Sequence, residues 1–187
     1  MKTFFIILSI ITFTSCNNST FIDKRTDKQI NFISYVKALR DTINVSSENK
    51  THRNTLMENS VPAVKSYIRD TLKLVIKSWQ VKVIEKTEDY PYKGSILLKT
   101  GLAFDPYDTS SGTINQSIIL KTIIPASDKA IIEIVKSLKI NDYLKIDGQF
   151  VQKKGFIDID SYSHYKFSKN VLDNPEFEAK ITSIEKF

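Results

Sequence analysis

Apolar and polar positions change their period along this chain. Residues 4–13 (FFIILSIITF) form an unbroken apolar run behind Lys2. A bilayer-spanning helix needs about 20 apolar residues, whereas the hydrophobic part of a secretory leader takes roughly 7 to 15 followed by small residues. The run fits the second description. From residue 27 to residue 43, Ile30, Ile33, Val36, Leu39 and Ile43 recur at steps of three and four, which is the spacing of an amphipathic helix. Residues 45–59 are polar apart from Leu56 and Met57, compatible with a solvated helix or with a loop. Ser60 ahead of Pro62 has the form of a helix opening, and Ala63, Val64, Tyr67, Ile68 and Leu72 carry the helical spacing to about Thr71.

From Leu74 onward the chain is rich in β-branched and aromatic residues. Trp79, Val81 and Val83 alternate with Gln80 and Lys82, which predicts a long first strand. A turn at 90–94 (YPYKG) leads to a second strand over 95–104, where Gly101 suits a bulge or bend. A polar loop at 105–116 precedes a third strand over 117–124. Pro125 ends that strand, and Ser127 offers an N-cap to a helix with Ala130, Ile131, Ile134, Val135 and Leu138 on one face, ending at Asn141 and Asp142. Strands follow at 143–151 and 156–162, joined by 152–155 (QKKG) with Gly155 suited to a positive φ. Residues 176–187, set off by Asn174 and Pro175, read as one more strand.

Strand, strand, strand, helix, strand, strand is the order of the oligonucleotide/oligosaccharide-binding (OB) barrel. The expected class is therefore α+β: N-terminal helices followed by a five-stranded OB-like β-barrel with a helix between strands three and four and an extra C-terminal strand. The expected divisions are a leader at 1–15, a tether at 16–26, a helical segment at 27–72 and the barrel domain at 73–187. A barrel filled by Trp79, Val81, Val83, Leu97, Ile119, Ile123, Leu144, Ile146 and Ile157, plugged by Ile131, Ile134 and Leu138, would own its core and fold alone.

Residues 141–150 (NDYLKIDGQF) resemble the pattern "Gly-Asp, alternating apolar residues, Gly, any, Phe" of fourth strands in the tRNA-anticodon-like OB family. That family includes many small membrane-anchored bacterial proteins. The resemblance covers about residues 74–162, with Asn141 standing where the family usually has glycine. In physical terms Asp142 would close the helix-to-strand turn, Leu144 and Ile146 would point inward, and Gly148 would let the strand bend at a barrel corner.

Thr14-Ser15-Cys16 resembles the lipobox of bacterial lipoproteins, with Phe13 where the stricter pattern has Leu, Val or Ile. The resemblance implies cleavage before Cys16, a diacylglycerol thioether on it and often N-acylation. Cys16 is the only cysteine. In an oxidising compartment such a thiol has no intramolecular partner, and acylation removes it. Each buried methylene contributes about 0.8 kcal/mol, so two or three acyl chains hold where one would not. Asn17, not an aspartate, follows Cys16, so the expected place in a bacterium with two membranes is the outer membrane, facing the periplasm.

The formal net charge of +6 is spread over scattered lysines, a diffuse field without the dense basic run of a polyanion site. His52 and His164 have no second ligand at metal-binding spacing, and Asp105 with Asp108 does not resemble a calcium loop. Asp158 and Asp160 read as the solvent face of a strand. With no catalytic motif, no catalytic residue, metal or cofactor is assigned. OB barrels take ligands across strands two and three and the flanking loops. The candidate ligand-binding residues there are Tyr92, Lys99, Phe104, Lys121, Lys153 and Lys154, with Lys93, Tyr90 and Tyr107 nearby. Lysines and aromatics would suit nucleic acid, but an exported lipoprotein meets envelope proteins and saccharides far more often. The expected function is a non-enzymatic binding module. The alternative is a structural spacer whose N-terminal helices make the contact.

Overall fold

The structure, a computed structural model, describes residues 22–46, 50–107, 117–161 and 170–187. The leader, Cys16, Asp108 and His164 lie outside the described residues. Helix α1 (Asp27–Val45) starts at Thr26, whose hydroxyl accepts the Gln29 N–H, and it buries Phe32, Ile33, Val36 and Ile43. Helix α2 (Lys50–Ser66) is one continuous helix with Pro62 inside it, so Ser60 does not open a helix. Pro62 lacks the N–H that would bond four residues back. A π-helical turn (Tyr67–Thr71) follows, and the Leu72 N–H donates to the Tyr67 carbonyl at 3.1 Å, a five-residue step. No helix among the described residues is long and apolar enough to cross a membrane.

Six strands follow: β1 (Val75–Glu88), β2 (Ile96–Ala103), β3 (Ser117–Ile124), β4 (Tyr143–Phe150), β5 (Asp160–Ser161) and β6 (Pro175–Lys186). Helix α3 (Lys129–Ser137) sits between β3 and β4. Its N-cap is Asp128, which accepts the Ile131 N–H, not Ser127. β1 is long enough to serve two neighbours: its first half pairs with β4 up to Lys82 and its second half with β2 from Lys82 onward. β2 pairs with β3, β4 pairs with β6, and a parallel pairing of β3 with β6 closes the barrel. The molecule has N-terminal helices, a closed five-stranded OB-like barrel with a helix between strands three and four, and one further short strand near its C-terminal end.

The last two strands exchange the roles expected of them. β6 is the fifth staff of the barrel, and β5 is a two-residue addition at the start of β6. Residues 156–162 were expected to run beside β4, but both edges of β4 are taken, by β1 and by β6. The tight turn at Lys154 (φ 52°) and Gly155 (φ 81°) therefore leads only to a bridge between Lys153 and Phe156. Asn141 holds a φ of 76°, a region asparagine enters more readily than most residues.

Strands β2 and β3 face the opposite way from expectation. Leu98, Leu102, Ile118, Leu120 and Ile124 point into the core, while Leu97 and Ile119 are buried on the other face and Ile123 is 40 % exposed. Because side chains alternate with a period of two, a one-residue misreading turns the whole face over. Here both faces carry apolar residues, so alternation could not choose between them. In α3, Ile132 packs inward with Ile131, Val135 and Leu138, leaving Ile134 on the outer side.

The core does not stop at the boundary between helices and barrel. Phe32 of α1 lies 5.6 Å from Trp79, 5.9 Å from Phe150 and 6.2 Å from Phe177, ring centre to ring centre, at the middle of one continuous apolar cluster. β2 has ended where β1 reaches Gln80, and the exposed backbone edge there is taken by a side chain. The Gln29 amide donates to the Gln80 carbonyl at 2.6 Å and accepts its N–H at 2.9 Å.

Candidate functional site

The outer face of β1, β2, β3 and β6 carries a cleft of about 410 Å³. Its floor comes from alternate positions of neighbouring strands: Glu85 and Thr87 on β1, Leu97 and Lys99 on β2, Lys121 on β3 and Glu176 on β6, with Tyr90 and Asp160 at its edge. Glu85, Lys99 and Lys121 stand in register across three strands. The register shift between Val83 and Glu85 turns Glu85 onto this face, since a bulge adds a residue and re-aims the side chains after it. Glu176 arrives through the parallel closure, opposite Ile119. Asn174 fixes that junction, its side-chain oxygen accepting the Ser117 N–H at 3.0 Å.

The charges form a chain. Lys99 Nζ lies 3.4 Å from Glu85 and 3.2 Å from Glu176, and Lys121 Nζ lies 3.6 Å from Glu176. The side chains of Lys99 and Glu176 are 9 % and 8 % exposed. Charges so far from water persist only when paired. Lys121 and Glu85 are about one-third exposed and are the members a ligand can reach. The lining thus offers carboxylates and ammonium groups side by side, with the Tyr90 ring 45 % exposed at the rim. This suits a ligand that presents hydroxyls, amides or both signs of charge, together with an apolar face for the ring.

Of the candidate residues, Lys99 and Lys121 meet in the cleft. Tyr92 is 77 % exposed on the turn beyond it, and the neighbouring Tyr90 supplies the rim. Phe104 is buried in the core, under the Arg40 guanidinium at 4.4 Å. Lys153 pairs with Glu178, farther along β6, and Lys154 is exposed on its turn. Glu85 and Glu176 are not legible as site residues in the sequence, and Asp160, expected only on the solvent face of a strand, stands at the cleft edge. A bulge moves Glu85, strand closure brings Glu176, and Asp160 reaches the rim on a strand that pairs with β6 and not with β4. Among the described residues no group of three or more His, Cys, Asp or Glu is placed to hold a metal ion.

In comparisons with known proteins, no family model matches the chain, and neither a curated protein nor a solved structure matches it. The functional reading rests on the cleft and on the residue pattern around Cys16.

Proposed function

We propose that the protein is a lipid-anchored, non-enzymatic binding module of the bacterial cell envelope, taking an envelope protein or saccharide across the outer face of its OB-like barrel. The observation that carries the reading is the cleft over β1, β2, β3 and β6, where Lys99, Glu176 and Lys121 form a paired chain beside the Tyr90 rim. It occupies the sheet face on which OB barrels take ligands. Nucleic acid fits it poorly, because a phosphate chain on Lys121 would also meet Glu85, Asp160 and Glu176, and like charges brought together oppose binding. The spacer reading has less support, since the apolar face of α1 is occupied by the barrel core.

Lys121→Ala and Tyr90→Ala test the reading in the full lipidated chain, with a photo-crosslinking residue at Thr87 to capture partners in cells. Lys99 is the poorer probe, because its side chain is buried between Glu85 and Glu176, so removing it perturbs the packing of the cleft floor as well as any ligand contact. The expected result is at least tenfold weaker capture with unchanged circular dichroism, tenfold being about 1.4 kcal/mol. Unchanged capture, coupled with loss on substituting Asn54 and Glu58 on the exposed side of α2, would favour the spacer. Cys16→Ser tests the anchor: release into the soluble fraction or an uncut precursor is expected, and normal processing with membrane partition would reject it.

A further inference from the structure

The segment ahead of α1 is held against the barrel. The side-chain amide of Gln80 donates to the Ile22 carbonyl at 2.8 Å and accepts the Lys24 N–H at 2.7 Å, so one glutamine grips the chain as a neighbouring strand would. Lys24 Nζ then lies 4.4 Å from the centre of the Phe187 ring. Ile22 and Lys24 thus share a small depression with Asn141, Tyr143, Lys186 and Phe187, where β4 begins and β6 ends. Only residues 17–21 separate Ile22 from Cys16, a reach of at most about 20 Å even fully extended. A lipid on Cys16 must hold this pole of the barrel near the bilayer.

The same pole has the surface of a membrane contact. Ile22 is 65 % exposed, Ile140 51 % and Phe187 44 %. Lys24 and Lys139 are exposed beside them. The acids nearby are already engaged, Asp23 with Arg25 and Asp142 with Lys186. Large apolar side chains among lysines fit the interfacial layer of a bilayer with anionic headgroups. The cleft runs away from this pole: its β1 wall begins at Glu85, two residues past Val83, which bonds the Asn141 and Asp142 backbone, whereas Glu176 stands at the opposite end of β6 from Lys186, about 30 Å along the strand at ~3.3 Å per residue.

We infer that the pole formed by Ile22, Lys24, Lys139, Ile140 and Phe187 rests on an anionic lipid surface, so that the start of β6, with Glu176 at the far end of the cleft, points away from the membrane. This rests on the lipoprotein reading of Cys16 and adds an orientation to it. The docked segment holds the pole close to the anchor, and the Glu176 end of the cleft stands farthest from the membrane surface.

The test uses the full lipidated chain in vesicles of phosphatidylethanolamine and phosphatidylglycerol. With Cys16 acylated, Ile140→Cys and Tyr92→Cys each supply one free thiol for an environment-sensitive fluorophore, and nitroxide-bearing lipids report its distance from the headgroups. Quenching of roughly twofold or more is expected at position 140 and little at position 92. Lys24→Glu combined with Lys139→Glu is expected to cut the quenching at 140 by about half while the protein still sediments with vesicles, because the acyl chains remain. Equal quenching at both positions, or no effect of the two glutamates, with the protein still sedimenting, would overturn the orientation and leave the anchor standing. A chain that stays in the supernatant would overturn the anchor and the orientation with it.

Discussion

Gly148 sits where β6 crosses β4 at a register shift. A Cβ there would fall inside contact distance of the Lys180 carbonyl oxygen and 3.1 Å from the Ile181 Cα, both backbone atoms that cannot swing aside. Gly155 poses a different problem, with nothing within 4 Å but a φ of +81°. Gly148→Ala should cost about 1 to 3 kcal/mol through overpacking, and Gly155→Ala about 1 to 2 kcal/mol through backbone conformation. Thermal unfolding of the two variants should place Gly148→Ala lower, and the reverse order would mean that β6 can retreat from β4.

Next to Gly148, the Asp147 carboxylate accepts Lys77 Nζ and the Ser78 N–H, each at 2.6 Å, and so holds the irregular step in β1 where Ser78 has a φ of 54°. The hydrogen bond from Lys77, then that from the Ser78 N–H, draws the Asp147 pKa below its ordinary 3.8. Asp142 is lowered likewise, first by the Lys139 N–H and then by Lys186. A carboxyl whose folded pKa lies below its unfolded value adds stability above the unfolded value, and that stability is lost as pH falls through the folded one. Urea unfolding should therefore show constant stability near neutrality and a decline below about pH 4. Asp147→Asn should lower stability at pH 7 and make the acid decline shallower; an unchanged acid decline would remove Asp147 from the account.

Among the elements, α1 adds Phe32, Ile33, Val36 and Ile43 to the core that the barrel strands enclose. Its helical spacing was legible in Ile33, Val36 and Ile43, yet Ile30 is 36 % exposed and the largest inward group is Phe32. The turn chemistry of the barrel was also legible, at Asn141 and Asp142, at Gly148 and at Gly155. The inward face of β2 and β3 was not, because SILLKTGLA and SIILKTII place apolar residues on both sides and only the neighbouring strands decide which side is the core. Phe32→Ala removes a ring packed on Trp79, Phe150 and Phe177 and should cost about 3 to 5 kcal/mol. A loss below about 1 kcal/mol would mean that α1 only leans on the barrel.

For the whole molecule, the change of hydrophobic period near Leu72 marks a change of secondary structure, while the apolar core runs across it. A barrel that owned its core would fold without the helices. With Phe32 and the Gln29 seal removed, a fragment of residues 70–187 is instead expected to bind hydrophobic dyes and to unfold without a sharp transition. Cooperative unfolding of that fragment with near-native aromatic circular dichroism would make the barrel an independent domain.

The sequence by itself determined the α+β class, N-terminal helices ahead of the strands, and the helix between the third and fourth strands; of the six candidate binding residues it named, Lys99 and Lys121 line the cleft. These are local signals, carried by spacing, caps and turns within a few residues. Only the tertiary structure decided that β6 closes the barrel, that Phe32 completes its core, and that Glu85 and Glu176 flank Lys99. Each of those depends on residues far apart in the chain, where strand closure and register, set by the packing of the whole barrel, choose the partners.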